Sequence, residues 1–185
     1  MQIGPLLSPG VELLGWSLRL FLTAAPWILG LGLLAAAGRA IQVGPGRAWP
    51  KPAYVAFEIV VEALRLLIFV VVIGLGHPAA GVHSIAAFFH DDAASHAFAR
   101  IGQGLARRWP EALAALALFA LVSVGANLLT FAAANLPLVR RAAAAALPDA
   151  DQSRLKLATV LFNKNLTIIP FTMIWLWGLL LLLNR

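Results

Sequence analysis

Long apolar stretches alternate along the chain with short polar ones. Four of them, residues 14–38, 53–76, 110–136 and 155–183, reach the roughly 20 mostly apolar residues that a membrane-crossing helix needs. Period-2 alternation is absent, and stretches of this length satisfy their own backbone hydrogen bonds in lipid as helices rather than as barrel strands. The pattern predicts an all-α, polytopic integral membrane protein: a four-transmembrane-helix bundle forming a single domain over residues 1–185.

The links carry helix-breaking chemistry. Gly44-Pro45-Gly46 and Trp49-Pro50-Lys51-Pro52 end the first span, and Trp49 and Tyr54 suit the membrane–water interface. The second link opens with Gly76-His77-Pro78. The apolar residues 78–89 that follow are few enough to be interfacial or re-entrant, with a fifth span as the alternative. An interfacial helix is predicted over residues 92–107, capped by Asp91 or Asp92, with Arg100, Arg107 and Arg108 toward the end that the helix dipole makes negative. Trp109-Pro110 then leads into the third span, with proline in a tolerated first-turn position. In the third link, residues 142–146 form a short helix and Pro148-Asp149 restarts the chain. The stretch up to residue 13 is expected at the interface. The apolar residues after Arg19 read as a retained helix rather than a signal peptide: no Lys or Arg precedes Arg19, and the stretch exceeds the usual core of about 7–15 residues.

Composition sharpens this picture. Of 185 residues, 61% are hydrophobic and 12% charged, about half the charge of an ordinary soluble domain, so most of the outer surface must face lipid. The net charge of +6 sits between apolar stretches, where basic residues meet lipid phosphates and set topology; nucleic acid is not an expected partner. With no cysteine, thiolate metal sites, iron–sulfur clusters and disulfides are excluded. Links one and three carry Arg39, Arg47, Lys51, Arg140, Arg141, Arg154 and Lys156; the other side carries Arg19, Arg100, Arg107, Arg108 and Arg185. Seven against five places links 39–52 and 137–154 in the cytoplasm and both termini opposite.

Ionisable groups inside a span are costly and need a partner or water. Glu58, Glu62 and Arg65 recur at i, i+4, i+7 on one face of the second span, with Arg65 near its middle. Ser123, Asn127 and Thr130 repeat that spacing on the third span, which ends near Asn135. The fourth carries Thr159, Asn163 and Thr167 beside Lys164 and Asn165. The alternation of spans puts Glu58, Glu62, Asn135, Asn163 and Lys164 in one leaflet. They are expected to line a cavity or form a buried network, with Lys164 as counter-ion for Glu58 or Glu62, and Arg65 for Glu62. The same stripes can equally be contacts that join helices. Pro170 should kink the last span and free a carbonyl near residues 163–166. Gly32 and Ala36 make a small-xxx-small pair suited to close helix packing.

All four histidines, His77, His83, His90 and His96, fall within one link beside Asp91 and Asp92. His90, Asp92 and His96 are the weak candidates for a metal, but their spacing matches no metal motif, and no metal is expected. No span contains histidine, which argues against a bis-histidine haem, and no cofactor is expected. Trp175 and Trp177, near the middle of the last span, are expected to pack against another helix; together with Arg107 and Arg108 they are the candidate partner or lipid contacts. No nucleotide-binding or hydrolase motif is present and no nucleophile–base pair can be placed. The leading expectation is a non-enzymatic accessory or structural subunit of a larger membrane complex, with membrane lipids and either partner subunits or further copies of the chain around it. The alternatives are a small transporter or channel-like oligomer using the polar stripe, and a lipid-handling enzyme using the His/Asp link.

Overall fold

The computed structural model describes residues 4–90, 92–146 and 151–184. Asp91, the Pro148-Asp149 step and Arg185, which the sequence reads as a cap, a chain restart and a flanking charge, lie outside the described residues. Among the described residues the protein is all-α, 91% helical with no strand. Helix α1 spans Gly4–Thr23, α2 Ala25–Val43, α3 Lys51–Ile73, α4 Pro78–Phe88, α5 Ala93–Ala134, α6 Pro137–Ala146, α7 Gln152–Asn163 and α8 Ile169–Leu183. A single 3₁₀ turn, Pro45–Ala48, follows α2, and a π turn, Lys164–Ile168, joins α7 to α8. Among the described residues, three helical stretches are long and apolar enough to cross a membrane: α2, α5 and the stretch Gln152–Leu183. A fourth is available if the bent pair α3 and α4 counts as one span. This is compatible with a multi-pass membrane protein.

The stretch read as one helix over residues 14–38 is two helices. Pro26 has no N–H to donate and its ring excludes the carbonyl four residues earlier, so α1 ends at Thr23 and α2 starts afresh with proline in its first turn. The Thr23 hydroxyl bonds back to the Arg19 and Leu20 carbonyls at 3.0 and 3.1 Å. The N-terminal stretch expected at the interface is continuous with this helix, and α2 extends to Val43. The expected interfacial helix and third span follow one another in α5 and are separated by a kink, where Arg108 leaves helical geometry (φ −121°, ψ 23°) just before Pro110. Asp92 does not take an ordinary capping conformation: its φ is +46°, and its carbonyl accepts from Ser95 Oγ at 2.6 Å and His96 N at 3.1 Å.

The chain divides into two compact units. The first comprises Met1–Trp27, Phe69–Ser123 and Phe171–Arg185. Its core is Leu13 of α1, Ala112 and Ala115 of α5, and Trp175, Leu179 and Leu183 of α8, flanked by Trp16, Phe119 and Phe171. Trp175 is fully buried and meets Phe119 and Phe171 at ring separations of 5.6 and 6.1 Å. Small residues make these contacts possible: a methyl group on Gly178 would lie 2.5 Å from both Leu13 and Trp16.

In the same unit the last residues of α3, from Phe69, bend sharply into α4. Leu75 (φ 51°) and Gly76 (φ 99°) adopt left-handed geometry, and the Gly76 N–H reaches back to the Val71 carbonyl at 2.8 Å, closing the end of α3. Pro78 then starts α4. With 11 residues, α4 is about 16 Å long, too short to cross a core of about 30 Å by itself, which removes the fifth-span alternative. The corner closes because Gly81 lacks a side chain: a methyl group there would lie 1.9 Å from the Val70 carbonyl oxygen.

The second unit comprises Ile28–Ile68 and Val124–Pro170, and its buried apolar residues include Ile28, Ala35, Ala36, Val61, Leu155 and Ala158. Here α2 and α3 approach closely: a methyl group on Gly38 would meet Val61 Cγ2 at 2.6 Å.

The corner provides a direct test. Gly81→Ala is expected to destabilise the folded protein by about 1–3 kcal/mol, since the clash is with backbone. Gly15→Ala, at a helical position with nothing within 4 Å of the added methyl, should be neutral or stabilise by up to about 1 kcal/mol. Thermal unfolding in one detergent reads both; equal midpoints for the two variants would contradict the close α3–α4 crossing.

Candidate functional site

The candidate site is a polar cluster in the second unit, built from the end of α2, the first two-thirds of α3 and the π turn. Arg39 lies one turn from the end of α2, with Gln42 three residues on. Glu58, Glu62 and Arg65 lie on the facing side of α3 at the expected helical spacing. Arg39 Nη1 donates to Glu58 at 2.7 Å and to Gln42 Oε1 at 2.8 Å, and Gln42 Nε2 donates to the same Glu58 carboxylate at 2.7 Å. Arg39 Nη2 pairs with Glu62 Oε1, and Arg65 Nη1 reaches that same oxygen at 2.6 Å. Arg65 then turns its other donors onto Asn165: Nε and Nη2 lie 2.8 and 2.5 Å from Oδ1. Two arginines and two glutamates thus form one charge-balanced chain of contacts, closed at its ends by the amides of Gln42 and Asn165, both buried.

The π turn sets the position of Asn165. Pro170 supplies no N–H, and the backbone in front of it widens to i→i+5 bonding, with the Ile169 N–H reaching the Lys164 carbonyl. The expected kink therefore takes the form of a π turn. Thr167 Oγ1 donates to the Asn163 carbonyl at 2.8 Å and Asn165 Nδ2 to the Leu161 carbonyl at 2.7 Å, which leaves Oδ1 for Arg65. Gly32 of α2 faces this turn: a methyl group there would sit in ordinary contact, 3.4 Å from the Asn165 carbonyl oxygen.

Other residues singled out from the sequence are placed differently. Lys164 is not the counter-ion of Glu58 or Glu62; its Nζ lies over the Phe131 ring, 6.0 Å from the centroid, and the guanidinium of Arg39 takes the place assigned to it. Asn163 contributes its carbonyl to Thr167 and is half-buried, as is Asn127 on α5, which makes a contact of its own. Glu58, Glu62, Asn135, Asn163 and Lys164 all belong to the second unit. Trp175, a candidate partner contact, is enclosed by the first unit's own core, so it offers no surface to another molecule; Trp177 packs edge-on to Phe69 at 6.5 Å. Arg107 is exposed, while Arg108 reaches the Leu182 carbonyl at 3.4 Å, a cation at the end of α8 where the helix dipole favours one. His77, His83, His90, His96 and Asp92 are exposed, and no group of three His, Asp or Glu among the described residues is placed to hold a metal ion.

Arg39, Gln42 and Asn165 are the members that the sequence reading did not place in the network. Arg39 looked like a flanking charge. The signal was the hairpin: a turn over residues 44–50 brings the last turns of α2 and the first turns of α3 to similar depth, so Arg39 and Glu58 meet.

No family model matches the chain, and no curated protein or solved structure shows significant similarity to it.

Asn165→Ala is expected to cost about 1–3 kcal/mol, because it leaves the Nε and Nη2 donors of Arg65 without an acceptor in an apolar setting. Lys164→Met, one residue away, should cost less than about 1 kcal/mol, the worth of an open cation–π contact. Unfolding in detergent distinguishes them; a larger loss at Lys164 than at Asn165 would contradict the placement of the π turn.

Proposed function

We propose that the chain is a four-span membrane protein acting as a non-enzymatic subunit of a larger membrane assembly, with links 39–52 and 137–154 on the cytoplasmic side. The observation that carries this reading is the exposure of Glu62. Arg39 and Arg65, which hold it, are 17% and 18% exposed, whereas the Glu62 side chain is 45% exposed and Glu58 34%. Glu62 lies eleven residues into α3, about 16 Å along it, at a depth where the bilayer core offers carboxylates no hydrogen bonds. Charged groups near the centre of a span cost about 2.5–3.5 kcal/mol even on lenient insertion scales. A second polypeptide covering this face of α3 removes that cost. The surrounding surface suits such a cover, since Ile59, Val60 and Leu66 are exposed apolar side chains next to small residues at 56 and 63. The internal charge balance of the cluster fits a structural role better than a path that must gain and lose ions.

The same exposed carboxylate supports the transport reading if the covering chains are copies of this one. A photocrosslinker at Ala63, compared with one at Leu128 of α5, separates the two in native membranes. The subunit reading expects a single discrete adduct from position 63 to a different protein, none from position 128, and loss of the adduct in Glu62→Leu. Adducts only between copies of this chain, with ion flux in vesicles abolished by Glu62→Gln, would overturn it in favour of transport.

A further inference from the structure

A second polar feature of the second unit lies apart from the Arg39–Glu62 cluster. Where α5 ends, α6 and the start of α7 enclose a cleft of about 240 Å³. That is below the roughly 300–1,000 Å³ of a typical small-molecule pocket and suits a compact group. Its described polar lining is Asn135, Arg140, Gln152, Ser153, Lys156 and Thr159; none of the described residues lining it is acidic. Arg140 Nη2 donates to Gln152 Oε1 at 2.6 Å, which holds the guanidinium at the cleft and leaves further N–H donors for a ligand. The nearest described carboxylate, Asp151, is engaged elsewhere: Oδ1 accepts the Arg154 N–H at 2.8 Å and Oδ2 lies 3.2 Å from Arg154 Nε. It caps α7 and pairs with Arg154.

The surroundings indicate what reaches the cleft. Helix α6 buries no residue, and it exposes Leu138 beside Arg140 and Arg141. A short helix with basic and apolar side chains both exposed, at the end of a long apolar helix, suits the headgroup layer. Basic clefts between helices at that level recognise anionic lipid headgroups.

We propose that this cleft binds a phosphate-bearing anion, the phosphodiester of an anionic phospholipid headgroup, with Arg140 and Lys156 as its charge partners and Gln152 and Ser153 as hydrogen-bonding walls. Free phosphate has the same chemistry and is the other possible source. The site is independent of whether a partner subunit covers Glu62.

The test uses the full chain in a mild detergent, with native mass spectrometry and thermal midpoint as readouts. The probes are phosphatidylglycerol, phosphatidylcholine and inorganic phosphate. Phosphatidylglycerol is expected to be retained and to raise the midpoint, with phosphatidylcholine doing neither. Arg140→Gln/Lys156→Gln should weaken phosphatidylglycerol binding about 30-fold, taking roughly fivefold for each basic side chain. Arg47→Gln/Lys51→Gln removes the same charge from the first link and should leave binding unchanged, and Arg140→Lys/Lys156→Arg should restore most of it. Should the Gln pair fail to fold, Lys156→Gln alone, at an exposed side chain, carries the test with a roughly fivefold loss. Protection by inorganic phosphate alone, lost in the Gln pair, would keep the anion site and overturn the lipid as its source. Equal binding of both lipids, or equal loss in the two Gln pairs, would overturn the site.

Discussion

Two guanidinium groups and two carboxylates held among apolar helices are the constraint that the second unit is built around. None of the four can be left alone in a low-dielectric setting, because removing the water around a single charge costs far more than any packing contact returns. The solution is mutual: Glu62 Oε1 takes a donor from each arginine, Glu58 takes Arg39 and Gln42, and Arg65 spends its remaining donors on Asn165. Arginine suits this task where lysine does not, since a planar fork of five donors can serve two carboxylates, or a carboxylate and an amide, at once. Local features of the unit follow from that requirement. Gly38 lets α2 lie against Val61 so that Arg39 spans to α3, and the π turn aims Asn165.

The first unit is held differently. Its core is apolar, with Trp175 enclosed by aromatic rings, and glycines at positions 104 and 178 bring α5 and α1 close to α8. Two of its arginines meet the end of α8: Arg108 on the Leu182 carbonyl, Arg100 on Asn184 Oδ1 at 3.0 Å. A charge at a helix terminus needs no ionic partner, since the unpaired carbonyls there supply one. In lipid, close backbone approach through small residues is a main source of helix association, which suits an arrangement this rich in glycine contacts.

The apolar periodicity of the chain made the helical class legible, along with the positions of its breaks at Gly44–Pro52, Gly76–Pro78 and Pro137. The i, i+4, i+7 spacing of Glu58, Glu62 and Arg65 identified one wall of the polar cluster. The partner wall was obscured, because a charge near a helix end reads equally as a topology signal and as a network member; Arg39 is both near the end of α2 and inside the cluster. Lys164 and Asn165 are adjacent, and only the register of a π turn, which no local periodicity announces, decides which of them faces Arg65. Pro26 was present in the sequence as a breaker, but the apolar residues on either side of it masked the interruption between α1 and α2.

A double-mutant cycle on Arg39 and Glu62, using Arg39→Met and Glu62→Leu singly and together, measures the interaction at the centre of this account. Done by reversible unfolding in bilayer-like detergent, it isolates the pair from the packing that each substitution alters. The account predicts a coupling of about 1.5–3 kcal/mol, with the double variant recovering part of what each single variant loses. Additive losses, with a coupling near zero, would contradict it.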